Sequence, residues 1–346
     1  MNRYEGVFVI VLLLLTGGIS YYAGASQVHT PSFNAIAASL YAPFLKKAME
    51  EAGVQGSVTA MGSVAAAQRI LLSPKQYSFF LSIDPAVIED ILYPKGISSW
   101  YIAIASDQMV IAVSPQYVKY VSSLNQSLYQ AEIENNTALE KKYLSEILDV
   151  VLSGNAAVGT SNPNTDPEGY RALMMLQLSG LWTKDNITYY VSKLEYLNET
   201  GKLYEVTAGS ALFAYLESGT VAYDIAIYKS SAIAQKLPYI PLPPEVNLGS
   251  SSFSSFYQNA SVTIISNGQK VTLRGAPIYL CFTIPKGSQD EEQGAVLALF
   301  ILSPEGKDLL KSFGVEPLSE PLFFGNTSDV PAPLKYFINS SLVEQG

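Results

Sequence analysis

The chain has 346 residues, of which 48% are hydrophobic and 15% are charged, so it can form two domains that each bury a core. Its formal net charge of -9 excludes nucleic acid as a partner, because that affinity depends on Lys and Arg neutralising phosphates. A single cysteine, Cys281, and a single histidine, His29, exclude an internal disulfide, a cysteine-rich metal site and catalysis by paired histidines.

The N-terminal segment has the pattern of an export signal. Arg3 precedes an apolar run from Val7 to Leu15, and Ala23-Gly24-Ala25 fits a signal-peptidase site. The run is shorter than the roughly 20 residues that a membrane span needs. Residues 1–25 are therefore predicted to be a secretory signal, with a retained membrane anchor as the alternative. Several Asn-x-Ser/Thr sequons, from Asn125 to Asn339, also favour an extracytoplasmic protein at the cell surface.

After this segment, short apolar strands alternate with amphipathic helices, a pattern typical of an α/β protein. Strands are predicted over 32–39, 56–60, 78–83, 100–106 and 109–114, and helices begin near Tyr41 and at Ser63. The middle of the chain is predicted to contain a long helical stretch near 130–152 and a strand over 223–228. A strand over 278–285, a helix over 291–302 and a helix that Ser303 and Pro304 begin complete the pattern.

At three places small polar residues lead into a predicted helix. They are 37–39, 62–63 and the run SNPNTDPEGYR at 161–171. A helix N-terminus presents free N–H groups and a partial positive charge, so it can bind an anion without a lysine. The same segments also suit plain helix capping, since Ser63 and Asp166 are favoured N-cap residues. The pattern alone leaves both interpretations open.

Several stretches resemble the archaeal tungstate/molybdate-binding proteins, which are the substrate-binding components of ABC importers. SNPNTDPEGYR is the most specific of them, and YKSSAIAQKLPYIPLPPEVNLG at 228–249 is nearly as specific. The resemblance implies an α/β protein with the two-lobed type II periplasmic-binding-protein fold, in which mixed sheets are flanked by helices and the ligand lies in the interlobe cleft. Lobe 1 would comprise about 27–110 and 240–346, and lobe 2 about 111–239.

This resemblance implies a binding protein rather than an enzyme. The protein would capture tungstate or molybdate and deliver it to a membrane permease, as a monomer and without a cofactor. The alternatives are a binding protein for another tetrahedral oxyanion, such as sulfate or phosphate, and, in a different class, a surface structural protein.

The resemblance also implies the residues of the site. Asp166 matches an aspartate that coordinates the metal atom of the oxyanion, which fits molybdenum(VI) and tungsten(VI) as hard Lewis acids that favour oxygen ligands. Arg171 and Lys229 are expected to brace the interlobe surface or to lie in solvent. The remaining contacts to the oxyanion are expected from Ala38, Ser39, Ser63, Asn164, Thr165 and Tyr228.

One departure from the family concerns its second carboxylate, a glutamate. Counting back from Ser218 and Gly219 places Gly209 at its position, and Glu205 lies four residues earlier. The cysteine that often follows the Asp-Pro pair in the family is Glu168 here. Either Asp166 holds the metal alone, with hydrogen bonds from serines and N–H groups, or the specificity differs from that of the family.

Overall fold

The structure is a computed structural model that describes residues 33–339 and 344–345. The predicted signal segment 1–25 and His29 lie outside the described residues. Within the described ranges, no helix is both long enough and apolar enough to cross a lipid bilayer.

The strands follow the apolar runs of the sequence. Where a run is buried along its whole length, as in FFLS of the third strand, both faces of the sheet are covered. The strands are Phe33–Ala38 (β1), Gly56–Met61 (β2), Phe79–Ser82 (β3), Trp100–Asp107 (β4), Met109–Val113 (β5), Val158–Ser161 (β6), Leu203–Val206 (β7), Tyr223–Tyr228 (β8), Tyr239–Pro241 (β9), Ser261–Ser266 (β10), Gln269–Arg274 (β11), Ile278–Thr283 (β12), Pro317–Gly325 (β13) and Glu344–Gln345 (β14).

These strands form two mixed sheets, one in each lobe, and a separate hairpin. The sheet of lobe 1 has the order β14-β13-β4-β12-β3-β1-β2, and that of lobe 2 has the order β7-β6-β8-β5-β9. In lobe 1, β1 pairs in parallel with β2 and β3, while β12 runs antiparallel to β3 and β4. In lobe 2, β6 is parallel to β7 and β8, and β5 is antiparallel to β8 and β9. The hairpin pairs β10 with β11.

The chain passes between the lobes at two points. Only Gln108 separates β4 from β5, so the first crossing lies two residues before the predicted boundary at 110. The return follows β9 and precedes β12, close to the predicted position 240.

Helices cover the sheets, and each long one buries the face that its apolar residues define. In the first helix, Phe44, Leu45, Ala48 and Met49 are buried, and Gly53 follows its end with a φ of 70°. The helices of eight or more residues are Ala42–Glu51 (α1), Ser63–Leu72 (α2), Val118–Ile133 (α3), Thr137–Val151 (α4), Pro167–Lys184 (α5), Tyr189–Glu199 (α6), Glu291–Leu302 (α7), Pro304–Ser312 (α8) and Ala332–Asn339 (α9).

The predicted long helical stretch over 130–152 is wrong in one respect, because two helices cover it. Asn135 has a φ of 50°, which ends the hydrogen-bonding pattern of α3. Asn136 then caps α4, accepting a hydrogen bond from the Leu139 N–H at 3.2 Å. The Asn-Asn-Thr sequence thus ends one helix and begins the next.

Candidate functional site

The ends of β1 and β2 bring two of the predicted site segments to one edge of the lobe 1 sheet. Ala38 lies opposite Met61 in the parallel register, so Ser39 and Ser63 both follow strand ends at the same edge. Ser39 begins a short 3-10 turn, and Ser63 is the first residue of α2. Ser63 is fully buried and does not cap α2, because its hydroxyl accepts a hydrogen bond from the Ile83 N–H at 3.3 Å. The simple capping interpretation therefore does not apply to Ser63.

Asp166 in lobe 2 is both a helix cap and a buried carboxylate. Its Oδ1 accepts from the Glu168 N–H at 3.2 Å at the beginning of α5, and its Oδ2 accepts from the Gly209 N–H at 2.8 Å. Only 7% of the residue is exposed. Burial raises the pKa of Asp166 to about 6, although the two N–H groups oppose this shift by favouring the charged form.

The two lobes touch where these segments face each other. A Cβ atom on Gly62 would lie 2.3 Å from the Thr165 carbonyl oxygen and 3.1 Å from the Asp166 Cβ, so only glycine permits this approach. The Ala65 N–H, in the first turn of α2, donates to that Thr165 oxygen at 3.1 Å. The Gln68 side chain donates to the Asn164 carbonyl at 3.3 Å. The beginning of α2 and the loop before α5 are thus in direct contact across the cleft.

Tyr228 and Asp224 add two buried polar groups from β8. Both residues are fully buried, and the register shift of β8 against β5 lies between them. Neither the Tyr228 hydroxyl nor either Asp224 carboxylate oxygen has a hydrogen-bond partner in the described part of the chain. Burial, reinforced by nearby acidic groups, raises the pKa of Tyr228 well above its usual value. Asp224 was not predicted, although an aspartate in the otherwise apolar YDIAIY was a signal for it.

Three carboxylates therefore lie near one another in lobe 2: Asp166, Glu168 and Asp224. Glu168 is 1% exposed, and burial together with the charges of Asp224 and Asp166 raises its pKa well above the usual range. Burial and the Asp166 charge likewise raise the pKa of Asp224 to about 8. Among the described residues, no three His, Cys, Asp or Glu side chains are placed to hold one metal ion. The geometry therefore does not favour a bare metal cation held by all three.

The structure does not bring every predicted residue to this point. The Asn164 Oδ1 accepts from the Ile265 N–H of β10 at 2.7 Å, and the Thr165 hydroxyl donates to the Thr207 carbonyl at 2.8 Å. Glu205 is exposed on β7 and accepts from the Asn162 side chain at 2.7 Å. Gly209, by contrast, is buried and contacts both Asp166 and Glu168. Of the two candidate positions for a second carboxylate, Gly209 lies against Asp166, whereas Glu205 does not.

Arg171 joins the lobes through a buried ion pair. Its Nε lies 2.7 Å from the Asp84 Oδ2, with both side chains almost fully buried, and its Nη1 donates to the Ala276 carbonyl at 2.6 Å. The Tyr170 hydroxyl donates to the same Asp84 oxygen at 2.5 Å. Asp84 and Ala276 precede strands or helices of lobe 1, whereas Arg171 belongs to α5 of lobe 2. The expectation that Arg171 braces the interlobe surface is confirmed.

A second polar contact between the lobes lies beside the first crossing. The Tyr41 hydroxyl, after β1, donates to the Asp107 Oδ2 at 2.9 Å and lies 2.8 Å from the Ser230 Oγ of lobe 2. Lys229, next to Ser230, lines a cavity that Asp107, Ser230 and Lys311 also line. The contacts at Asp84 and Asp107 therefore hold the lobes together at two points.

Curated relatives with similar sequences include several solute-binding proteins. An uncharacterized solute-binding protein of Saccharolobus solfataricus is 34% identical over 249 residues, which are 70% of this chain and 58% of that protein, so the chain spans less than two thirds of it. The molybdate/tungstate-binding protein WtpA of Pyrococcus abyssi is 27% identical over 324 residues, covering 89% of this chain and 87% of that protein.

Solved structures agree on the fold. The periplasmic molybdate-binding protein of Azotobacter vinelandii superposes with a TM-score of 0.52 at 16% identity, over 82% of this chain and 98% of that chain. The sulfate-binding protein SubI of Mycobacterium tuberculosis gives 0.52 at 13% identity, over 89% and 91%. The predicted two-lobed periplasmic-binding fold is thereby confirmed. A family profile also matches residues 30–316, and this chain belongs to the family of bacterial extracellular solute-binding proteins.

Proposed function

We propose that this protein is the extracytoplasmic substrate-binding component of an ABC importer and that its cargo is tungstate or molybdate. The observation that carries the proposal is the position of Asp166. It is a buried carboxylate at the beginning of an 18-residue helix of lobe 2, against the beginning of α2 from lobe 1. The similarity to the Pyrococcus abyssi molybdate/tungstate-binding protein, over 89% of the chain, supports the same cargo.

The chemistry of these ions resolves the conflict between an acidic site and an anionic cargo. Tungsten(VI) and molybdenum(VI) are hard centres that favour oxygen ligands, so a carboxylate binds the metal while the outer oxygens of the ion accept hydrogen bonds. Helix N-termini supply such donors without a full positive charge. In this proposal Asp166 binds the metal atom.

The other proposed contacts to the ion differ in whether their polar groups already hold hydrogen bonds within the protein. Ala38, Ser39 and Ser63 lie at the cleft edge of lobe 1, and the Tyr228 hydroxyl has no partner among the described residues. Asn164 and Thr165 would have to exchange their present hydrogen bonds to Ile265 and Thr207. Contact between the lobes then excludes water, which strengthens each remaining hydrogen bond to the ion. The closed pair of lobes is the form that a permease would recognise.

Phosphate is the second candidate, and the buried carboxylates are the observation that favours it. A phosphate ion retains a proton near neutral pH and can donate it to Asp166. Sulfate has neither a proton to donate at this pH nor a centre that accepts a carboxylate, so Asp166 would repel it. Sulfate is therefore disfavoured by charge.

Parallel calorimetric titrations with tungstate, molybdate, sulfate and phosphate test the proposal. We expect saturable binding of tungstate or molybdate with a Kd near the nanomolar range, about -12 kcal/mol. A ligand at 1,000 times its Kd also adds about 4 kcal/mol to the free energy of unfolding, which a melting curve detects. Metal analysis of protein exposed to both oxyanions identifies the preferred one. Binding of phosphate alone would favour the second candidate, and no ligand-induced shift would favour a surface structural protein.

A further inference from the structure

Glu168 is a buried carboxylate that the fold leaves without a partner. It is 1% exposed, and neither of its carboxylate oxygens has a hydrogen-bond partner within residues 33–339. Glu168 lies two residues after Asp166, the N-cap of α5. The helix needs no second acid for capping there, because the Asp166 side chain already accepts a hydrogen bond from the Glu168 backbone N–H. An unpaired buried carboxylate is costly, so its presence needs an explanation outside the packing of the protein.

The carboxylate of Glu168 lies in a space that the absence of a side chain at Gly209 leaves open. A Cβ atom on Gly209 would lie 2.1 Å from the Glu168 Oε1 and 2.3 Å from its Oε2. The N–H of the same glycine donates to the Asp166 Oδ2 at 2.8 Å. The carboxylates of Asp166 and Glu168 therefore both lie against the backbone of Gly209.

The charges around Glu168 indicate what kind of group completes this arrangement. The charged side chains that act on it are Asp224 and Asp166, both of them acidic. Arg171, the nearby buried cation on α5, is already paired with Asp84. A bound species that pairs with these carboxylates must therefore supply either a positive centre or a proton.

We propose that Glu168 contacts the bound ion together with Asp166, and that this pair of carboxylates makes the site select a metal oxyanion over sulfate. The inference rests on the proposed function. Each carboxylate adds an oxygen to the tungsten or molybdenum atom without displacing an oxo group, and the metal expands its coordination. Sulfur in sulfate offers no such position, so two carboxylates repel the ion. The second carboxylate thus comes from the first turn of α5 and enters the space beside Gly209.

Three variants test the inference. Glu168→Gln keeps the shape of the side chain and removes its charge. The double variant Glu168→Ala with Gly209→Glu moves the carboxylate to the opposite side of the same space, where the alanine leaves room for it. Glu140→Gln is the matched control, since Glu140 is a buried glutamate of lobe 2 on α4, away from this cluster. Tungstate and sulfate affinities are measured by calorimetry, melting temperature without ligand is recorded, and tungsten coordination is measured by X-ray absorption.

We expect Glu168→Gln to weaken tungstate binding at least 30-fold, to lower the number of oxygen atoms around tungsten, and to raise the melting temperature without ligand. These opposite changes separate contact with the ion from a folding defect. The double variant should recover at least part of the affinity, and Glu140→Gln should bind as the parent protein does. Parental tungstate affinity and coordination in Glu168→Gln would overturn the inference while the proposed function stands. Failure of the parent protein to bind either metal oxyanion would overturn both.

Discussion

Two groups of buried acids lie on either side of the cleft, and they differ in what surrounds them. Asp84 of lobe 1 is fully buried and receives hydrogen bonds from Arg171 and Tyr170. Glu168 and Asp224 of lobe 2 are buried to the same extent, yet their oxygens have no partners in the described ranges. The first group is complete within the protein, whereas the second is not.

This difference separates a residue that holds the lobes together from residues that, in the proposed function, face the ligand. A paired buried acid stabilises the structure only as long as its partner is present, because removing one member leaves the other charge buried alone. An unpaired buried acid destabilises the structure until something else binds it. Substitutions in the two groups should therefore have opposite effects on stability and on binding.

The largest effect is expected at the paired group. Asp84→Ala leaves the Arg171 guanidinium buried without a carboxylate, which should lower the free energy of unfolding by about 3–5 kcal/mol in urea denaturation. Asp149→Ala is the control, because it removes the partly exposed pair with Lys193 and should cost less than about 1 kcal/mol. Equal losses in the two variants would contradict the structural role of Asp84.

At Asp166 the effect should be larger in binding than in folding. Asp166→Asn retains a favoured N-cap residue, but its single amide oxygen cannot accept from both the Glu168 and the Gly209 N–H groups, so the free energy of unfolding should fall by about 1–3 kcal/mol. Tungstate binding should weaken by about 2–5 kcal/mol, because the metal loses a charged ligand. Calorimetry with tungstate and denaturation of the same sample separate the two effects. Unchanged tungstate affinity would show that Asp166 is only a cap.

The buried acids of lobe 2 should also make the ligand-free protein less stable as pH rises. The folded-state pKa values of Asp166, about 6, and Asp224, about 8, exceed the usual 3.8, so the folded state binds more protons than the unfolded state between these limits. The stability that these two groups contribute is then fully present below about pH 4 and is lost as pH rises towards 8. Melting curves at pH 5 and pH 8 measure the fall. Asp224→Asn should reduce it, and an undiminished fall would assign it to other groups.

The smallest effect is expected at Glu205. Glu205→Gln should change stability by less than about 0.5 kcal/mol and tungstate affinity by less than about twofold, since the side chain is exposed and bonded only to Asn162. A tenfold loss of affinity in calorimetry would place Glu205 at the site and weaken the case for Glu168.

Half of the fourteen described strands could be predicted from the sequence because these seven are short runs, mostly apolar, with clear ends. The strand predicted over 223–228 occupies Tyr223–Tyr228, and that over 100–106 occupies Trp100–Asp107. Asp166 and Pro167 also identified the beginning of α5 through ordinary capping chemistry. These features depend on residues that are close together in the sequence, so they can be predicted from short stretches of it.

The composition of the acid cluster could not be predicted in the same way. Asp224 approaches Asp166 only because β8 pairs with β6, and this pairing joins segments that are distant in sequence. Counting residues located Gly209 near the site, but it could not reveal that a side chain from α5 fills the space beside it. The predicted signal segment, the monomeric state and the absence of a cofactor stay predictions.

The contact at Gly62 has a consequence for how such proteins diverge. Because Gly62 has no Cβ, the Thr165 carbonyl meets the first turn of α2 directly, and the approach of the lobes at this point depends on main-chain atoms. Side chains that border the cleft beside Gly62 can therefore be exchanged without disturbing this main-chain contact, as long as the ion pair at Asp84 is kept. In the proposed importer, a change of cargo would then leave the meeting of the lobes at this point unaltered.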